Sequence, residues 1–406
     1  MPGSVDYFIS SNNTLTSQDD TQFFKNGQKL TKPENTVDIS LSEFKSLIKQ
    51  EVSNFVNRSF DNIIVLAGAG ASVVSSEEGI DKNYGRTVFM LAQDIKNELD
   101  SEHNLFSLQE LAEKSKYDVP TEINSNNEVK VFNPNFNLED FLSNLITFEN
   151  YVPDDIKEKY QKSKQKIFEL IRKNTSYDFN KGQLKHAAFI NTLAKKVKTP
   201  SKLTIVTTNY DTLFEDAAES IGFTVMDGFS FSHKPYFDSN MFEWNMVKDI
   251  ENVKTKELEY KRNILNLLKI HGSLTWERDA FGIRRKDKST ICTPIMIFPS
   301  SNKYMQSYQE PYFELFTKFQ DLLKRPNSLL ITTGFSFLDK HISKMITQAI
   351  THNKGLSTLI SDFNIKQDTE NWSELLTLMK HNYQIAFLKA TMNSDLTEYL
   401  GEYYGD

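Results

Sequence analysis

The stretch "KLTIVTTNYDTLFEDA", residues 202–217, decides how the chain is read. Its apolar run, Leu203 to Val206, has the composition of a buried parallel strand, and Thr207, Thr208 and Asn209 fall where the carboxyl end of that strand emerges. The helical pattern "DTLFEDAAESIG" follows at once, with Asp211 placed to cap it and Gly222 to close it. In open α/β sheets ligands bind at that carboxyl edge.

Working outward, "NIIVLAGAGASVV" holds another buried strand, Ile63 to Ala67, that runs straight into small residues. After residue 202 apolar strands and helices alternate: "ILNLLKIHG", "TPIMIFP", "YFELFTKFQDLLKR", "SLLITTGFS", "DKHISKMITQAI", "LSTLISDF", "ELLTLMKHN" and "QIAFLKA". Such alternation predicts an α/β fold, a Rossmann-like, doubly wound parallel sheet. Between the two strand units "GRTVFMLAQDIKNEL" reads as a helix, and "NLEDFLSNLITF", "QKIFELIRK" and "LKHAAFINTLAKKV" then predict an inserted helical module at about residues 100–200, without strands. A helix is expected from Ser40, where "SLSE" offers a capping box and Phe44, Ile48, Val52 and Phe55 follow at helical spacing. Residues 1–38, rich in Asn, Thr, Ser and Gln, read as an N-terminal arm outside the core, and residues 39–406 as the main domain.

The chain has 406 residues and a formal net charge of −7, which argues against a dedicated nucleic-acid binder. The lysines at 161–174 and 182–202 are interleaved with acidic and polar residues and read as solvated helix faces. The one cysteine, Cys292, allows no intramolecular disulfide and no paired-cysteine zinc site, and it reads as a packing residue opening an apolar strand. No leader and no long apolar span is visible, so a soluble, cytoplasmic protein with no membrane association is expected.

Four motifs carry possible chemistry. Gly68-Ala69-Gly70-Ala71-Ser72 follows a strand, and its glycines would let backbone N–H groups approach a pyrophosphate, aided by the positive end of a following helix. Neither a P-loop lysine nor the full dinucleotide fingerprint is present, so a tight turn is an equal reading. Asn209 suits a ribose hydroxyl or a water, while Asp211 serves as a cap, alone or with a second role. His271 ends the strand of "LLKIHGSLTW" before a Gly-Ser turn, a placement suited to a general base; His103, His186, His352 and His381 read as structural. Gly334-Phe335-Ser336 ends the fourth strand, with Asp339 at the next helix start.

In this order the four motifs resemble the Sir2 (sirtuin-like) family, whose signature is a GAG-[IA]-S turn, a T-x-N-x-D segment, an HG segment and a G-[TF]-S segment; here they stand as Gly68 to Ser72, Thr207 to Asp211, His271-Gly272-Ser273 and Gly334 to Ser336. The resemblance implies an NAD site: Gly68, Ala69, Gly70 and Ser72 along the phosphates, Gly334, Phe335 and Ser336 on the adenosine side, and Ser361 or Asp362 near the adenine ribose. It also implies Thr208, Asn209 and Asp211 around the nicotinamide ribose, with Asn209 and His271 as the catalytic pair and no metal.

Two departures separate the chain from sirtuin deacylases. Their GIPDFR-like segment is replaced by "SSEEGIDKNYGRT", and one cysteine cannot build their four-cysteine zinc ribbon. "NLEDFLSNL", Asn137 to Leu145, is similar to a segment of bacterial Sir2-like antiphage proteins, which hydrolyse NAD+. That resemblance implies NAD+ depletion in antiphage defence, restrained by homo-oligomer assembly or a partner such as a HerA-type ATPase, with the arm at 1–38 available for subunit contacts. The strand-and-helix core is expected to run to the end of the sequence, without the C-terminal ligand-sensing domain joined to the NADase in Thoeris systems. The competing readings are a non-catalytic NAD or ADP-ribose sensor, which would not need both Asn209 and His271, then a deacylase, then a dehydrogenase.

Overall fold

The computed structural model describes residues 4–32, 37–76, 79–81, 83–124, 130–250, 258–291, 294–296, 311–366 and 370–402. Cys292 lies outside them. Strands that are apolar at every position become the buried centre of a sheet, because a parallel strand is covered on both faces. Seven strands, apolar over much of their length, run parallel: β5 (Asn62–Ala67), β6 (Leu203–Thr207), β7 (Thr224–Met226), β8 (Ile264–Lys269), β9 (Ser328–Thr333), β10 (Leu356–Asp362) and β11 (Ile385–Lys389). Their order is β7-β8-β6-β5-β9-β10-β11, so the chain reverses direction across the sheet at β5, the switch point at which open α/β sheets bind ligands.

Residues 4–29 are not an arm outside the core. They form an antiparallel meander, β1 (Ser4–Ser10), β2 (Thr14–Gln18), β3 (Gln22–Lys25) and β4 (Gln28–Lys29), that joins the sheet through β1 on β11 and makes it eleven-stranded. Phe8, Leu15 and Phe23 enter the main core there, and Phe23 stacks on Phe44 at 4.4 Å.

Alternation along the strands divides the core into two layers. Ile63, Val65, Ile205, Leu267 and Ile331 face α1 (Leu41–Val56), α6 (His186–Ala194), α7 (Leu213–Ser220) and α11 (Leu396–Leu400). Ile64, Leu66, Val206, Leu268 and Leu330 face α8 (Tyr312–Lys324), α9 (Lys340–His352) and α10 (Ser373–Lys380). α1 begins where the sequence places it: the Glu43 N–H donates to Ser40 Oγ at 3.3 Å and the Ser40 N–H donates to Glu43 Oε2 at 2.7 Å. Gly222, at φ +77°, follows the end of α7 and satisfies its last carbonyls, with the N–H groups of Gly222 and Phe223 donating to Glu219 and Ala218.

A third core belongs to the inserted module: α2 (Val88–Ser101), α3 (Leu108–Lys114), α4 (Leu138–Phe148) and α5 (Asp154–Thr175), packed through Ile95, Leu111, Phe141, Leu145, Tyr160 and Ile167. The module differs from expectation twice. It contains a short hairpin, Glu122–Asn124 on Lys130–Phe132, and α6 leaves it to pack in the main core. The segment Asn137 to Leu145 has a local role there: Asn137 caps α4, its Oδ1 accepting from the Glu139 and Asp140 N–H groups, and Leu138, Phe141, Leu142 and Leu145 are buried.

Candidate active site at the carboxyl edge of the sheet

Because the strands are parallel, the turns after β5, β6, β8 and β9 all project from one edge. After β5 the chain makes a single 3-10 turn, Ala69–Ser72, and Val73 is already extended. The α-helix expected to lend its positive end to a phosphate does not follow. The glycines answer a closer demand: a Cβ on Gly68 would lie 2.5 Å from the Gly334 carbonyl oxygen, and one on Gly334, at φ +60°, would lie 2.1 Å from the Ala71 nitrogen. The Gly68 and Gly70 N–H groups donate to the Thr333 and Gly334 carbonyls, each at 3.0 Å. Two turns are thus seated on each other across the switch point, and Asn393 Nδ2 holds the first by donating to the Ala71 carbonyl at 3.0 Å and the Val73 carbonyl at 2.8 Å.

Ser72 faces the other way. Its Oγ donates to Asp211 Oδ2 at 2.8 Å and accepts from Asn209 Nδ2 at 3.0 Å. Asp211 Oδ1 accepts the Leu213 N–H at 3.1 Å, so the carboxylate holds the start of α7 while also anchoring Ser72. Thr208, half-buried, ties this turn to β5 by donating its N–H to the Ala67 carbonyl at 3.0 Å. Burial pushes the Asp211 carboxyl up from the usual range, opposed by the Lys269 charge and the Ser72 hydroxyl.

Lys269 is the residue that sequence reasoning missed. It ends β8 only 1% exposed, with its Nζ donating to the Asp211 carbonyl and, at 2.9 Å, to Glu215 Oε1. Burial pushes Glu215 up and the lysine pulls it down. The available signal was a lysine closing a mostly apolar strand two residues before His271.

His271 is 4% exposed, with Nε2 3.4 Å from Asp339 Oδ2. Asp339 also starts α9, its Oδ1 accepting from the His341 and Ile342 N–H groups at 3.0 and 3.2 Å. The carboxylate that caps α9 therefore also stands beside the imidazole. Gly272 follows at φ +96°, where a Cβ would lie 2.2 Å from the Ile295 carbonyl oxygen.

The first three motifs are thus physically joined, with Ser72, Asn209, Asp211 and Lys269 in one buried network and Leu274 donating its N–H to the Tyr210 carbonyl at 3.1 Å. The remaining candidates sit differently. Phe335 is a core residue in edge-on contact with Phe337 at 5.0 Å, Ala69 is half-buried and Ser336 is exposed. Ser361 is buried, while Asp362, half-buried at the end of β10, closes its own turn by accepting the Asn364 N–H at 3.0 Å; burial pushes its carboxyl up. The segment replacing the GIPDFR-like stretch forms a two-residue hairpin, Ser75–Ser76 on Gly79–Ile80. Among the described residues no group of three His, Cys, Asp or Glu side chains could hold a metal ion, and no helix is long and apolar enough to cross a membrane.

Comparison with known proteins adds three findings. No curated protein matches the chain. Among solved structures it is similar to a Sir2 enzyme described for its mechanism and regulation, at 10% identity and a TM-score of 0.38 over 87% of this chain and 95% of that one. A Sir2 mutant described with a p53 peptide and NAD is similar at 12% identity and a TM-score of 0.33, over 87% of this chain and 96% of that one. By sequence, residues 203–383 match the family model of the SIR2-like domain, a span that holds three of the four motifs, and the fold brings the fourth, Gly68 to Ser72, against them.

Proposed function

We propose that the chain hydrolyses NAD+ to nicotinamide and ADP-ribose at the carboxyl edge. The observation that carries this reading is the convergence of His271, backed by Asp339, with the Ser72–Asn209–Asp211 network on neighbouring turns. The match of residues 203–383 to the SIR2-like domain supports it. The bond from the ribose anomeric carbon to the nicotinamide nitrogen breaks, its electron pair leaving with nicotinamide, and a water oxygen bonds to that carbon. His271 accepts the proton the water loses, or one from a ribose hydroxyl, and Asn209 orients the water. The Gly68 and Gly70 N–H groups already serve Thr333 and Gly334, so the pyrophosphate lies along the outer rim of these turns, towards Ala69 and the exposed Ser336.

An unrestrained NAD+ hydrolase would exhaust its own cell. Restraint by homo-oligomer assembly or by a HerA-type ATPase, and a role in antiphage defence, extend the same proposal; they rest on the sequence resemblance. The test is nicotinamide release by the purified protein, alone and with such an ATPase, beside Asn209→Ala and His271→Ala. Loss of His271 should slow turnover by roughly 10²–10⁴-fold with the fold intact. NAD+ binding without turnover in every condition would replace the enzyme with a nucleotide sensor.

A further inference from the structure

On the α8 face of the sheet, towards the amino ends of the strands, lies a cavity of about 200 Å³ between β5, β6, β8, the end of α8 and the segment at 242–245. Its lining residues Asn62, Lys202 and Arg325 stand at the amino ends of strands, whereas Asn209 and His271 follow their carboxyl ends. Three cations line it, Lys202, Lys318 and Arg325, against one carboxylate, Glu243. Lys318 is paired with Glu243, and Lys202 Nζ donates to the Phe242 and Trp244 carbonyls at 2.7 and 2.5 Å. Both lysines are therefore held in place, while Arg325 is an exposed residue of the lining. The wall is polar as well. Asn266, buried on β8 where the neighbouring strand positions are apolar, donates Nδ2 to the Phe242 carbonyl at 3.3 Å, and its Oδ1 finds no partner among the described residues. A buried amide oxygen left so is destabilising unless a donor reaches it.

We infer that this cavity is a second binding site, for a small phosphate monoester that also carries hydroxyl groups. The surplus positive charge suits the phosphate, and Arg325 offers it a planar two-pronged donor. The polar wall around Asn266 suits hydroxyl groups better than an apolar body. The site is independent of the NAD+ reading, since it shares no side chain with the carboxyl edge.

The experiment is calorimetric titration of the full chain with ribose 5-phosphate, with inorganic phosphate and ribose as separate arms, repeated on Arg325→Ala and Asn266→Leu. Saturable binding of ribose 5-phosphate, weakened at least roughly tenfold in Arg325→Ala, is expected. Arg325 is exposed, so that variant folds even where Asn266→Leu does not. Equal binding of inorganic phosphate would assign the site to phosphate alone and overturn the hydroxyl part. Absence of saturable binding in all arms, unchanged affinity in Arg325→Ala, or full displacement by NAD+ would overturn the site itself.

Discussion

The two pairs of turns at the carboxyl edge are built on opposite plans. Those after β5 and β9 meet backbone to backbone, through Gly68, Gly70 and Gly334, with main-chain hydrogen bonds and no room for a Cβ. Those after β6 and β8 are joined chiefly by one side chain, the buried Lys269, which reaches the Asp211 carbonyl and the half-buried Glu215 carboxylate, beside the main-chain bond from Leu274 to Tyr210. Ser72 is the link between the plans, being the last residue of a glycine turn and a member of the polar network. The contrast separates two meanings of a motif. Glycines here are set by how closely two turns approach, whereas the polar residues are set by each other, and the proposed chemistry rests on the second group.

Substitutions should expose that difference. The largest effect is expected from Lys269→Met, which removes the buried partner of the half-buried Glu215. Removing one partner of a buried pair destabilises by about 3–5 kcal/mol, and the double change with Glu215→Leu should recover much of it. Urea unfolding of the three variants measures this, and a single variant as stable as the parent would show the ion pair to be idle. Next comes Gly334→Ala. Its Cβ would meet the Ala71 nitrogen at 2.1 Å with φ at +60°, so strain and overlap together should remove roughly 2–4 kcal/mol. Because the clash is with backbone, no side chain can turn aside, and a parent-like melting curve would refute the seating of these turns on each other. Ser72→Ala removes a donor to a buried carboxylate and an acceptor for Asn209; it should lower stability by about 1.5–3 kcal/mol. If only the network matters to Asn209, Ser72→Ala should also slow nicotinamide release, whereas Gly334→Ala should act on stability first.

Much of this was legible before the structure. Runs such as "NIIVLA" and "LTIVT" have the length and β-branched composition of strands covered on both faces, and the Ser40 capping box marks a helix start by its own hydrogen bonds. The meander at 4–29 was misread because its strands are short and only half-covered, which hides the alternation. Its one strong local signal was passed over: Asn26-Gly27, at φ +52° and +78°, is the tight hairpin turn that this dipeptide favours. The motifs were placed at the right edge, but their partners were not readable. Nothing in sequence shows that the helix cap Asp339 also stands beside His271, because that lies in a 3.4 Å approach from a residue 68 positions away, 339 − 271. Lys269 escaped for the opposite reason: lysine at a strand end is ordinarily solvated, and only the fold encloses it.

The smallest effect concerns what lies behind the polar network. His186 opens α6 fully buried, its ring 4.9 Å from Phe214 of α7, the helix that Asp211 starts, and neither ring nitrogen has a partner among the described residues. Burial alone pushes its pKa down from 6.5 to about 3. The folded state therefore keeps this imidazole neutral while the unfolded state takes up a proton near pH 6.5, so the unfolded chain binds more protons and stability falls with falling pH. Above pH 6.5 the residue has no such effect; between pH 7 and 5.5 it should remove roughly 1 kcal/mol, and the loss should continue towards pH 3. His186→Leu cancels that component, so the stability difference between variant and parent should widen in the variant's favour as the pH drops through this window. A difference that stays flat from pH 7 to 5.5 would mean that the ring is reached by a proton in the folded state, and that the core behind the Asn-Tyr-Asp turn opens more easily than its packing implies.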